Sequence, residues 1–553
     1  MLRKAVPFIM VFCCLFLVSN NLFRDSTYSQ AMVAPQLSDP IMTEQGAVRG
    51  EVIRDIVAFR GIPYAAPPVG ELRWKAPQPA AKRADILDAT TFGSSCSQPG
   101  NGGVIGSEDC LTLNIWAPKT KEVSLRPVMV FIHGGGNVTG ASSIPLYDGL
   151  TLTEKGGVLI VTINYRLGPL GFLAHPLLSA EDREHNSSGN YGLLDQVAAL
   201  QWVQKNISNF GGDPGNVTIF GESAGGRDVM SLIVSPLVTN LFHKAIIESG
   251  APLFVDQPIR NTGGNASVES AEETGIRLSK ALGCETSNDT AACLRSKTPA
   301  ELLSAIRPDE TGRSGILYGP IVDGYAIPVS TQATLKNGQQ NNTPLIIGTN
   351  KNEASTFILN LPLESEAQYK LVLQFLFPEK ANQILEKYPV SDYGSPRAAL
   401  EAFFTDLSFL CTAREASRLI APNQSNIYVY QFTHSLKALK QLGAFHGLEL
   451  PFVFNNYPNL SGFPSITPSR KELKLAQRML TYWTNFAKTG DPNGMQLPRW
   501  PTYTLAGDMN ITLDLKIRTN KALRKDFCDF LTQLFGTNST VTVYRYDEAL
   551  SSK

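Results

Sequence analysis

Histidine is scarce in this chain, with 6 in 553 residues. Chemistry that needs an imidazole must draw on His133, His175, His185, His243, His434 or His446. There is no His-Glu-x-x-His and no credible cluster of metal ligands, so neither a metal nor an organic cofactor is expected. Net charge is missing too. Lys+Arg and Asp+Glu number 49 each, which removes the basic face that would hold nucleic acid or an anionic surface. No Pro/Gly/Ser-rich linker, repeat or charge block divides the chain. One large domain with insertions is expected over 32–553, its core drawn from the 43% of residues that are hydrophobic.

Long apolar runs are confined to the N-terminus. Met1-Leu2-Arg3-Lys4 is basic, Pro7 to Val18 is almost wholly apolar, and Ser29-Gln30-Ala31 is a small-x-small site. This order reads as a secretory signal peptide over 1–31; the rival, an uncleaved anchor, suffers from an apolar core short for a full span. A secreted or periplasmic protein without stable membrane insertion is expected. Cys13 and Cys14 follow no convincing lipobox. Removing the leader leaves Cys96, Cys110, Cys284, Cys293, Cys411 and Cys528. An even number favours disulfides in an exported chain, although many pairings are open. Cys96/Cys110 and Cys284/Cys293 would each close a short loop, leaving Cys411 with Cys528. Sequons at Asn137, Asn206, Asn216 and Asn510 read as chance occurrences.

What is present is more specific. Apolar runs at 127–132, 157–163 and 217–220 read as buried strands, and further strands are expected at 244–249, 344–348 and 427–432. Residues 47–60 read as a hairpin, 111–116 as an alternating strand, and 193–203 as a helix. Apolar strands separated by helical patterns imply an α/β fold with a mainly parallel sheet covered on both faces. Ligands collect at the carboxyl ends of such strands. At one such end stands Gly221-Glu222-Ser223-Ala224-Gly225, a G-x-S-x-G pentapeptide between strand and helix. Its small residues allow the sharp turn that exposes a serine hydroxyl as a nucleophile.

That hydroxyl needs a base, and the base an orienting acid. His175, His185 and His243 read as surface residues, and His133 as a support for the glycine run that follows it. His446 lies in the flexible loop Gly443-Ala444-Phe445-His446-Gly447, where small neighbours let an imidazole swing over a strand end. It is the better base, with His434 the competitor. Glu353, after the strand at 345–348, is the acid; Asp323 reads more simply as a turn residue. The chain order Ser223, Glu353, His446 is that of α/β-hydrolases. Gly134-Gly135-Gly136 follows the strand ending at Ile132, so the amides of Gly135, Gly136 and Ala224 are the expected donors to an oxyanion. Activity is then expected to fall as pH drops through about 6–7, where histidine takes up a proton.

These residues resemble the type-B carboxylesterase/lipase family of α/β-hydrolases, which also contains the cholinesterases. The resemblance extends over nearly all of the chain after the leader and lies closest to general carboxylesterases and para-nitrobenzyl-esterase-like enzymes. It is carried by Phe59-Arg60-Gly61-Ile62-Pro63-Tyr64-Ala65, Ser107-Glu108-Asp109-Cys110-Leu111-Thr112-Leu113-Asn114 and Asn164-Tyr165-Arg166-Leu167-Gly168. Phe210-Gly211-Gly212-Asp213-Pro214, the elbow, and Phe445-His446-Gly447-Leu448-Glu449-Leu450-Pro451-Phe452 complete it. It implies hydrolysis of small-molecule carboxylic esters through Ser223, His446 and Glu353. It also implies Glu222 as a buried second carboxylate and the pairings Cys96–Cys110, Cys284–Cys293 and Cys411–Cys528. A lipase on long-chain esters and a silent recognition or adhesion protein on the same scaffold are the alternatives.

Departures from the family pattern narrow the expectation. The short segment 97–109 contains no aromatic residue, so the cholinesterases' choline-stacking tryptophan has no counterpart. Asn137 replaces the phenylalanine usual after the glycine triplet. Arg227-Asp228 stands where many relatives have small residues, and reads as a salt-bridged pair or as a contact to an acidic substrate.

Overall fold

The computed structural model describes residues 35–120, 124–250, 253, 257–261, 269–305, 318–457 and 467–536. The leader read at 1–31 lies outside the described residues. A 13-stranded sheet organises the rest. Its strands are β1 (Ile41–Thr43), β2 (Gly46–Ile53), β3 (Ile56–Pro63), β4 (Leu87–Ala89), β5 (Thr112–Pro118), β6 (Arg126–Ile132) and β7 (Leu159–Ile163). There follow β8 (Gly212–Glu222), β9 (Lys244–Glu248), β10 (Leu345–Asn350), β11 (Ile427–Phe432), β12 (Met509–Leu513) and β13 (Arg518–Lys521).

The spatial order is β1-β2-β3-β5-β7-β6-β8-β9-β10-β11-β12-β13, with β4 beside β2. From β7 to β12 every neighbouring pair is parallel, and the flanking pairs are antiparallel except β2 with β4, which is parallel. The hairpin expected at 47–60 is β2–β3. Strands β12 and β13 have no counterpart in the sequence reading. β13 is exposed along its length, so no apolar pattern marks it.

Strand alternation divides the core in two. Val128, Val130, Val217 and Ile219 face one way, against α1 (Tyr191–Asn206) and α2 (Ala224–Val234). Met129, Phe131, Phe220 and Ile246 face the other, against helix Arg470–Thr489, whose Leu475, Met479, Trp483 and Phe486 are buried there. Both faces are therefore dry, which explains why the parallel strands read as continuous apolar runs. A helical layer sits beyond the sheet. In it α3 (Pro396–Thr405) runs through a π-helical turn, Asp406–Leu410, into α4 (Cys411–Ile420). The long helix Arg470–Thr489 is α5, and α6 (Lys525–Phe535) closes the described chain.

Disulfides join Cys96–Cys110, Cys284–Cys293 and Cys411–Cys528. The last spans a sequence separation of 117 and ties α6 to the start of α4. Among the described residues no helix is long and apolar enough to cross a membrane.

Candidate active site

β6, β8, β9 and β10 lie side by side, and their carboxyl ends assemble the site. Ser223 leaves β8 with φ 58° and ψ −122° and forms the N-cap of α2. A non-glycine residue in that region is strained and is held there by its surroundings. Its amide donates to the Glu248 carbonyl at 2.9 Å. Gly225 lets the turn close, since a Cβ there would meet the Ile132 carbonyl at 2.0 Å. The hydroxyl is thus lifted off the strand at a helix N-terminus.

Glu353 is fully buried just past β10. Its Oε1 accepts from the Asn350 amide at 2.6 Å, and its Oε2 faces His446 Nδ1 at 2.6 Å. The two loops are stitched together. Asn352 Oδ1 accepts from the Ala444 amide, Asn352 N donates to the Ala444 carbonyl, and Asn350 Nδ2 donates to the Phe445 carbonyl. The loop read as flexible is therefore held, and the imidazole does not need to swing. Phe357 and Phe409 pack on the ring with centroids at 5.1 and 5.0 Å. Phe409 is delivered by the π-helical turn, a feature without a sequence signature.

Glu222 Oε1 lies 3.2 Å from His446 Nε2. Neither atom makes a hydrogen bond, so the contact is one of charge without alignment. Burial opposes a proton on His446, but Glu222 and Glu353 outweigh it and raise the ring to about 9. Burial raises Glu222 itself to about 7, against the pull of His446.

On the other side of Ser223 is the loop 133–140. His133 is buried, stacked on Tyr165 at 4.5 Å, and bonded from Nδ1 to the Gly134 carbonyl at 2.8 Å. Burial lowers it to about 4, so it is neutral and props the loop. Gly135 takes φ 107°, and a Cβ would stand 2.2 Å from the Thr139 carbonyl, so only glycine fits. Among the described residues the amides of Gly135, Gly136 and Ala224 make no backbone hydrogen bond. Segment 97–109 forms a small ribbon whose Gln98 clamps Gly140 through both amide atoms at 2.8 Å.

Several side chains differ from their sequence reading. His434 is buried between Glu472 at 3.1 Å and Asp514 at 3.2 Å. His175 is buried, not on the surface, and caps a helix by accepting from Leu177 N. His243 Nδ1 accepts from Val217 N at 3.1 Å, and His185 stacks on Tyr325 beside Asp182. Asp323 accepts from the amides of Tyr325 and Ile327, as a turn residue does. Asp228 is held by Asn137 Nδ2 at 2.9 Å and Gln196 Nε2 at 2.6 Å, and the charge of Arg227 also acts on it. Asn137 is fully buried by that contact, which leaves no room for a glycan. Among the described residues no group of three or more His, Cys, Asp or Glu is arranged to hold a metal ion.

A parallel-centred sheet dry on both faces, with a strained serine between strand and helix, defines an α/β-hydrolase. The carboxylesterase family profile matches residues 38–531. The chain belongs to the carboxylesterase family and is an esterase. It is 36% identical over 496 residues to the para-nitrobenzyl esterase of Bacillus subtilis (strain 168), covering 86% of this chain and 96% of that one. To the fumonisin B1 esterase of Sphingopyxis macrogoltabida it is 35% identical over 493 residues, covering 86% and 87%. A solved thermophilic PNB esterase superposes with a TM-score of 0.76 at 34% identity, covering 89% of this chain and 99% of the other.

Proposed function

We propose that the protein hydrolyses small-molecule carboxylic esters by acyl transfer through Ser223, with His446 as general base and Glu353 as its orienting acid. The observation that carries this reading is the 2.6 Å contact between His446 Nδ1 and buried Glu353. It fixes the tautomer and leaves Nε2 as the edge that receives a proton. Ser223 Oγ attacks the ester carbonyl while Nε2 takes the hydroxyl proton. The negative charge that grows on the carbonyl oxygen is met by the Gly135, Gly136 and Ala224 amides, the last at the positive end of α2. His446 then returns the proton to the leaving alcohol. Water repeats the sequence on the acyl-enzyme and frees the acid.

Glu222 stabilises the imidazolium that exists between these transfers. Because it is misaligned with Nε2, it does not occupy the hydrogen-bonding direction that Ser223 needs. The ribbon at 97–109 presents no aromatic face for a quaternary ammonium group, which favours uncharged alcohols over choline. The three disulfides support an oxidising compartment, and a cleaved leader at 1–31 would deliver the chain there.

A fluorophosphonate label distinguishes this enzyme from a silent relative. Wild-type protein is expected to take up one label with loss of esterase activity, and Ser223→Ala none. Equal labelling of both proteins would refute Ser223 as the nucleophile.

A further inference from the structure

Behind the proposed base lies a group of carboxyls, two of which, Glu248 and Glu449, have no part in the reaction proposed above. Glu222, Glu248, Glu353 and Glu449 are all buried, the last three completely. Glu222, Glu248 and Glu449 are acted on by His446, by hydrogen bonds from Trp483 and Asn350, and by neighbouring carboxyls, and neither lysine nor arginine is among these groups. Four ionised carboxylates buried together, with Glu222 and Glu353 facing one imidazole, would repel one another and hold that ring as imidazolium, unable to serve as a base. The cluster must therefore carry protons of its own.

Sheet register sets two of these carboxyls next to each other. Glu222 pairs in register with Glu248, Glu248 with Gly348, and Gly348 with Tyr430. Neighbouring strands are about 4.8 Å apart, and in-register residues of parallel strands point to the same face. Glu222 and Glu248 thus stand side by side. Gly348 leaves the space that the Tyr430 ring fills, since a Cβ there would meet that ring at 2.2 Å. On the far side Trp483 Nε1 donates to Glu248 Oε1 at 3.1 Å. Glu248 Oε2, Glu222 Oε1 and the Tyr430 hydroxyl remain without a hydrogen-bond partner. Buried polar atoms are rarely left so, and two neighbouring carboxyl groups satisfy each other only when one of them is protonated.

We propose that Glu222 and Glu248 share a single proton, with Glu248 the acid that donates to Glu222. Glu248 is then a positioning residue for the carboxylate beside His446. Burial drives both carboxyls upward, and Glu222 pushes Glu248 further. The net charge facing the imidazole is held down, so the ring can shed its proton and act as a base. The kinetic consequence rests on the reading of His446 given above; the protonation state of Glu248 does not.

Two measurements test it. In infrared spectra of protein labelled with 13C-glutamate, Glu449→Gln protein at neutral pH is expected to keep a protonated-carboxyl band. The double variant Glu248→Gln/Glu449→Gln is expected to lose it. In pH profiles of kcat/KM, Glu248→Gln is expected to keep the acid-limb midpoint within about 0.3 unit, because an amide replaces an acid of the same charge. Loss of an ionised carboxylate would instead lower the midpoint by about one unit or more. A fall of that size overturns the inference, as does absence of the band in Glu449→Gln protein. Should wild-type enzyme show no acid limb, the assignment of His446 fails, and the infrared band still decides the state of Glu248.

Discussion

At the scale of single residues, the pH dependence turns on which carboxylates face His446. In the proposed reaction the base must be neutral to accept the serine proton, so activity is expected above the folded pKa of the ring and is expected to be lost as pH falls through it. Desolvation pulls that pKa down, but Glu222 and Glu353 raise it further than burial lowers it. The acid limb of kcat/KM is therefore expected above histidine's ordinary value of 6.5, higher than the about 6–7 expected for an unperturbed ring. Glu222→Gln removes one of the two raising charges, and its midpoint should fall by roughly one unit. A pH–rate series on both proteins checks this, and an upward move in the variant would contradict the charge assignment.

At the scale of elements, His434 shows how a residue that competes for the catalytic role on sequence can have a structural one. Its ring bridges Glu472, in the first turn of α5, and Asp514, just past β12. Glu472 also accepts from the Ser469 amide at 2.6 Å and completes the capping box of that helix. Burial lowers the His434 pKa, but hydrogen bonds from the ring to Asp514 and Glu472 outweigh it and raise the ring. A raised folded pKa means that the stabilisation is fully present below the unfolded value, about 6.5, and is lost as pH rises through the folded one. His434→Gln is expected to unfold at lower denaturant than wild type in mildly acidic buffer, with the gap narrowing at alkaline pH. A gap that widens toward alkaline pH would mean that the neutral ring carries the contact.

At the scale of the whole molecule, the Cys411–Cys528 bridge joins α6 to the helical layer that carries Phe409 to the site. Arg524 reinforces the tie by an ion pair with Asp406, at the start of the π-helical turn. A loop of this length stabilises by roughly 4–5 kcal/mol in the chain-entropy model. Cys411→Ala/Cys528→Ala is therefore expected to lower the free energy of unfolding by about that amount, read from equilibrium urea titration. A loss under about 1 kcal/mol would mean that the unfolded chain keeps the two segments together.

Much of this architecture was legible without coordinates, because its signals are local. A buried parallel strand needs apolar residues on both faces, so β6 and β7 appear as nearly continuous apolar runs. The elbow and the glycine loop need small residues at fixed positions whatever surrounds them. Chain order then made Ser223, Glu353 and His446 the candidates that the proposed reaction uses. The sequence could not display what depends on register and approach between distant segments. Glu248 reads as one polar residue ending a strand, and only the pairing of β8 with β9 sets it beside Glu222. The burial of His175, the Asn137–Asp228–Gln196 network and the Gln98 clamp on Gly140 likewise join residues far apart in the chain. Local sequence determined at which strand ends the candidate side chains stand. Tertiary packing alone decided their charge states, because burial and neighbouring charges, not residue type, set where a proton rests.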